Sequence, residues 1–241
     1  MEAKKQGADL IEIDVYENKD GTLILSHDSN FKRLAGDPRS IAELSDDDVK
    51  KIQLPDNQKA PTLEEVLQAA KEYDIALLIE PKTHGQEKNL AETLVKLLNK
   101  YDIVGKTSIH SFNLDLLKKI KKMQPHLQVG LLIFGGYGYF GITEVDFFSL
   151  QERVVTPRTI QNIHNFEKKV FVWTLNDTEK VEQYMKLGVD GIITDYIPEI
   201  KAKKEQIRKI YDGSSTIKFR LFGIEISPSK ILKLWSGFFS K

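Results

Sequence analysis

The sequence predicts an α/β fold whose parallel sheet closes into a (β/α)8 TIM barrel. Strand-like apolar runs alternate with helix-like segments from residue 10 to residue 194, which is the signature of a parallel sheet. The strands number close to eight, which favours closure. Neither a G-x-G-x-x-G fingerprint nor a Walker loop occurs, so an open nucleotide-binding sheet loses ground. A length of 241 residues suits one barrel domain.

The elements follow in order. Leu10-Ile11-Glu12-Ile13-Asp14-Val15 alternates apolar and acidic residues at period two, a strand whose polar face is wholly acidic. Asp20-Gly21 marks a hairpin turn into a second strand over residues 22–26, closed by His27-Asp28. Residues 40–52 read as a helix, with Ser45 ahead of three aspartates that suit its positive end. Thr62 caps the next helix, and Glu65 three positions on completes a capping box. Residues 75–79 form a continuous apolar run ending in Glu80-Pro81-Lys82, as in a buried parallel strand. Helix is expected at 90–98, 114–123, 156–166 and 178–187, and strand at 107–109, 129–134, 145–150, 170–175 and 191–194.

Composition narrows the classes. The absence of cysteine excludes a disulfide scaffold, a thiolate zinc site and a cysteine nucleophile. Thirty-five basic residues balance thirty-five acidic ones, so no bulk charge draws nucleic acid. The stretch 129–143 falls short of the ~20 apolar residues of a membrane span and is broken by Gly135, Gly136 and Gly138. No signal peptide opens the chain, which reads as soluble as written. The division expected is a barrel over residues 1–197 and a basic, aromatic tail over 198–241. The tail suits a terminal helix with a partly ordered end, or a peripheral contact with an anionic membrane.

Parallel barrels build their sites at the carboxyl ends of strands. Glu12 and Asp14, two apart on one strand, share a face, and so do Glu80 and Lys82. His27 ends another strand. Converging carboxylates repel one another unless a cation neutralises them, and hard oxygen ligands suit Mg²⁺ or Ca²⁺. Lys82 adds a positive charge for a phosphate, and His27 exchanges a proton near neutral pH. The set reads as metal-assisted phosphoryl chemistry. Taken singly, each element also fits an exposed strand face, a strand terminator or a surface ion pair worth under ~1 kcal/mol.

These residues carry a family resemblance. The segment Gly7-Ala8-Asp9-Leu10-Ile11-Glu12-Ile13-Asp14-Val15, then Lys19-Asp20-Gly21 and His27-Asp28, resembles the glycerophosphodiester phosphodiesterase family. Ile79-Glu80-Pro81-Lys82, Ser111-Phe112, Val172-Trp173-Thr174-Leu175-Asn176 and Gly188-Val189-Asp190-Gly191-Ile192-Ile193-Thr194-Asp195 resemble its later motifs in order. Leu34-Ala35-Gly36 is similar to the Gram-positive branch whose members carry a membrane domain, so full-length relatives point to attachment at the cell membrane. The resemblance implies a hydrolase that cleaves glycerophosphodiesters to an alcohol and glycerol 3-phosphate. It implies a divalent cation on Glu12, Asp14 and Glu80, catalysis by His27, phosphate contact by Lys82 and a pocket lined by Trp173.

One departure stands out. The family opens with a His-Arg-Gly strand that supplies a second histidine and an arginine, and no such tripeptide occurs here. The remaining histidines, His84, His110, His126 and His164, do not occupy that motif's place. The resemblance thus implies a barrel missing its first strand and the start of its first helix, with impaired turnover. The competing expectation is an inactive barrel that binds phosphate or a membrane surface.

Overall fold

The computed structural model describes residues 2–135, 140–213, 219–221 and 224–226. They fall into two compact units, one of residues up to 133 together with 141–149, the other of the remaining described residues.

The first unit opens with a short helix, α1 (Glu2–Lys5), and strand β1 (Ile11–Glu17). Gly21, at φ 88°, supplies the left-handed turn that the Asp-Gly pair demands. The chain then returns as β2 (Leu23–Leu25), antiparallel to β1 with Val15 opposite Leu25. The far edge of β2 is covered where Leu25 N–H donates to the Pro61 carbonyl at 2.9 Å. Between them lies an excursion of β3 (Asn30–Phe31), α2 (Lys32–Ala35), β4 (Asp37–Ser40) and α3 (Asp46–Lys51). Its apolar side chains Phe31, Ile41, Leu44, Val49 and Ile52 pack with Tyr16 and Ile24 into a cluster of their own.

The single helix expected over residues 40–52 is therefore corrected. Ser40 and Glu43 form one capping box around a 3₁₀ turn, and Ser45 and Asp48 form a second box that starts α3. Leu44 between them is extended at ψ 131°, because a second N-cap cannot sit inside a continuing helix. The Thr62–Glu65 capping box forms as the spacing predicts and opens α4 (Leu63–Glu72).

The parallel strands follow as β5 (Leu77–Pro81), β6 (Thr107–Ser111) and β7 (Gln128–Ile133), with α5 (Leu90–Tyr101) and α6 (Leu114–Met123) as crossovers. β5 pairs in parallel with β1 on one side and β6 on the other, and β6 pairs with β7. β8 (Phe147–Gln151) lies beside β7. Ile79, Ile109 and Val129 are fully buried on the odd-numbered face. Leu67 of α4, Leu94 and Leu98 of α5, and Leu117 and Ile120 of α6 are fully buried too. Each such side chain contributes about 1.5–3 kcal/mol relative to exposure. The even-numbered face of β1, β5 and β6 carries Glu12, Asp14, Glu80 and His110.

The second unit contains α7 (Pro157–Asn165), β9 (Lys169–Trp173), α8 (Val181–Leu187), β10 (Gly191–Ile192) and α9 (Ile197–Gly213). β9 and β10 are parallel, with Gly191 opposite Phe171. A two-stranded antiparallel ribbon, β11 (Phe219–Leu221) and β12 (Ile224–Ile226), follows. The remainder of the basic, aromatic tail lies outside the described residues. No helix among the described residues is long and apolar enough to cross a membrane.

Candidate active site

Register brings the acidic residues together. In the parallel pairing of β1 with β5, Asp14 lies opposite Glu80, so both side chains leave the sheet on one face. Lys82, just beyond the end of β5, continues that ladder with its N–H on the Val15 carbonyl at 2.9 Å. Its Nζ reaches Glu80 Oε2 at 2.9 Å and Asp14 Oδ1 at 3.0 Å. Pro81 lacks an N–H but completes the β5 end, where its carbonyl accepts Ser111 Oγ at 3.2 Å.

Burial sets the electrostatics. Glu80 is 7% exposed, and loss of solvation raises its pKa, with Lys82 acting in the opposite direction. Burial opposes the Lys82 charge, yet its bonds to Glu80 and Asp14 prevail and raise its pKa. Burial also raises the Tyr16 hydroxyl.

A histidine that sequence reasoning set aside belongs to this cluster. His110, at 2% exposure, projects from β6 on the same face, with its Nε2 3.3 Å from Glu12 Oε1. Burial holds its pKa at about 4 although Glu80 and Asp14 act to raise it. Ligand atoms of Glu12, Glu80 and His110 all lie within 4.8 Å of one another, close enough to hold one metal ion. Ser108-x-His110 has the parity of the Glu80-x-Lys82 pattern, and that was the available signal.

His27 stands differently. Its side chain is 76% exposed, and its Nδ1 is 2.9 Å from Asp28 Oδ1, which also accepts Arg33 through its other oxygen at 2.7 Å. His27 has no carboxylate partner among the described residues other than Asp28. The two bonds hold Asp28 below the usual carboxylate range. His84 stacks parallel on Tyr16, with ring centroids 5.9 Å apart and planes 6° apart. In the second unit, Trp173 ends β9 and stacks against Phe134 at 6.2 Å, leaving Phe134 67% exposed.

The profile of the Glycerophosphoryl diester phosphodiesterase family matches residues 1–199. The chain belongs to this family. A glycerophosphodiester phosphodiesterase from Caldanaerobacter subterraneus is 31% identical over 80% of this chain and 84% of its own. Among solved structures, an Oleispira antarctica phosphodiesterase in complex with the product sn-glycerol-3-phosphate superposes with a TM-score of 0.78. That pair is 21% identical and covers 84% of this chain and 87% of the other. The glycerophosphodiester phosphodiesterase of Thermotoga maritima has a TM-score of 0.69 at 27% identity, over 83% and 88% of the two chains. These glycerophosphodiester phosphodiesterase relatives share the TIM-barrel fold, and this chain has the same fold class. The family is one of phosphoric diester hydrolases.

Proposed function

We propose that this chain hydrolyses glycerophosphodiesters to an alcohol and glycerol 3-phosphate in a reaction that depends on a divalent cation. The observation that carries the reading is the Asp14–Glu80 register, which gathers acidic groups from two neighbouring strands around Lys82. Uncompensated, such a cluster is costly, and a cation relieves it. Glu12, Asp14 and Glu80 are the carboxylates assigned to Mg²⁺ or Ca²⁺, the ions that suit oxygen donors. A bound cation supplies Lewis-acid polarisation of the phosphoryl oxygen. Lys82 places its ammonium against a phosphate oxygen. His27, oriented by Asp28 through Nδ1, keeps Nε2 for proton transfer. Trp173, paired with Phe134, is assigned to substrate binding.

No His-Arg-Gly tripeptide occurs in the 241 residues. Loss of one proton-transfer group costs roughly 10²–10⁴-fold in rate, so turnover by this chain alone is proposed to be weak. The deciding assay is release of glycerol 3-phosphate from glycerophosphocholine with added cation. Release should stop with chelator and fall by roughly 10²–10⁴-fold in His27→Ala. Activity that persists in both would reject the proposal. Cation binding without release would leave a phosphate-binding module, or one for a membrane surface.

A further inference from the structure

We propose that the Tyr16 hydroxyl is a further substrate-binding group, which donates a hydrogen bond to a phosphate oxygen beside the one that Lys82 contacts. This rests on the reading above that the chain binds a phosphodiester, and it adds a neutral donor to the charged one.

Three observations carry it. Tyr16 stands two residues beyond Asp14 on β1, so its side chain leaves the strand on the same face. Lys82 bonds through its backbone N–H to the carbonyl of Val15, the residue between those two. Burial apart, the groups that act on the Tyr16 hydroxyl are, in order of strength, Lys82, Asp14, Glu80 and Asp28. The phenol therefore ends beside the ammonium assigned to phosphate.

Next, Tyr16 is only 8% exposed, yet its hydroxyl makes no hydrogen bond among the described residues. Polar groups this enclosed are normally paired, so a proton left uncommitted beside Lys82 is suited to an acceptor that a ligand brings. Finally, the ring is held in place. It packs with Ile24, Phe31, Ile41 and Leu44, and His84 stacks parallel on it at 5.9 Å. The His84 turn is itself fixed, because the Glu87 carboxylate accepts the backbone N–H of both His84 and Gly85.

A phosphate oxygen is the acceptor that fits. A phenol keeps its proton at neutral pH and donates without adding charge. The nearby carboxylates repel an anionic ligand, and each donor aimed at the phosphate offsets part of that repulsion. Hydrogen bonds to a charged acceptor are also stronger than those between neutral groups.

Tyr16→Phe tests this, since it removes one oxygen and keeps the ring, its packing and its stack. The whole chain, with saturating Mg²⁺ or Ca²⁺, is titrated with inorganic phosphate and with sn-glycerol 3-phosphate and followed by ³¹P NMR. Both affinities should fall roughly tenfold or more in the variant. Turnover of glycerophosphocholine should lose at least the same factor in kcat/KM, while melting temperature and cation affinity stay unchanged. An unchanged affinity for inorganic phosphate overturns the inference. A loss confined to sn-glycerol 3-phosphate would move the donor to a glycerol hydroxyl and overturns it too, as does a fall in melting temperature and cation affinity together. If the unaltered protein binds phosphate and releases glycerol 3-phosphate and Tyr16→Phe matches it, only this inference fails. If the unaltered protein does neither, the functional reading fails with it.

Discussion

Lys82 Nζ lies 3.0 Å from Asp14 Oδ1, so a lysine that follows one strand neutralises an aspartate of its neighbour. The same ammonium serves Glu80 at 2.9 Å. The lysine therefore does part of the electrostatic work that a cation would do in the same cluster.

That sharing has two consequences of opposite sign. Lys82→Met leaves two carboxylates without their counter-charge. Removing one partner from a fully buried pair costs roughly 3–5 kcal/mol, and the partial exposure here reduces this to about 1–3 kcal/mol. Cation affinity should rise, because a competing positive charge has gone, and KM for the diester should rise with loss of the proposed phosphate contact. Urea unfolding and metal titration of the same variant check both; a stable variant with unchanged cation affinity would refute the shared role.

Glu17, at the end of β1, does for α5 what Asn89 does not. Asn89 occupies the N-cap but its side chain makes no capping bond. The buried Glu17 carboxylate instead accepts Asn89 N–H at 3.1 Å and Lys88 N–H at 3.3 Å. Glu17→Ala should cost about 1–3 kcal/mol, since two part-buried backbone N–H bonds lose their charged acceptor at the positive end of a helix. Glu17→Gln should cost less. Amide exchange in the first turn of α5 should accelerate in the alanine variant, and unaltered protection there would count against the cap.

Gly130 is required by packing. Gly130→Ala would drive a methyl into the buried Phe147 ring, with an expected loss of about 1–3 kcal/mol from overpacking. Combining it with Phe147→Leu should recover part of that loss. Thermal melts of the two single variants and the double variant measure the coupling, and strict additivity would show that the two sites do not touch.

Asp48 gives a pH signature. The Ser45 hydroxyl and backbone N–H donate to its carboxylate, with Arg39 alongside, and hold its pKa at about 2 against the ordinary 3.8. A lowered folded pKa means that the unfolded chain takes up the proton first as pH falls. The stabilisation is therefore fully present above about pH 4 and is lost between there and pH 2. Asp48→Asn should melt lower than the unaltered protein at pH 6, and the gap should close near pH 2. A gap constant with pH would assign the effect to shape instead of charge.

Much of the fold was legible because its signals are local. The strand expected over residues 10–15 forms over Ile11–Glu17, and the Asp20-Gly21 turn and the Thr62–Glu65 box form as the spacing predicts, each signal lying within a few residues of chain. Residues 40–52 read as one helix and fold as two turns for a physical reason: two successive capping boxes, Ser40–Glu43 and Ser45–Asp48, each satisfy helix-start chemistry, so the helix must restart at the second. The pairing of Glu12 with Asp14, and of Glu80 with Lys82, on shared faces followed from the two-residue period of a strand.

The sequence by itself determined which side chains share a face, where strands and helices alternate and which family the motifs resemble. Only the tertiary structure decided which faces meet. The Asp14–Glu80 register, the arrival of His110 at Glu12 from 98 residues away and the reach of Glu17 to α5 depend on strand order and crossover packing. Periodicity encodes the direction of a side chain along its own strand. The identity of its neighbour across the sheet is set by the burial of distant apolar faces, which no local pattern records.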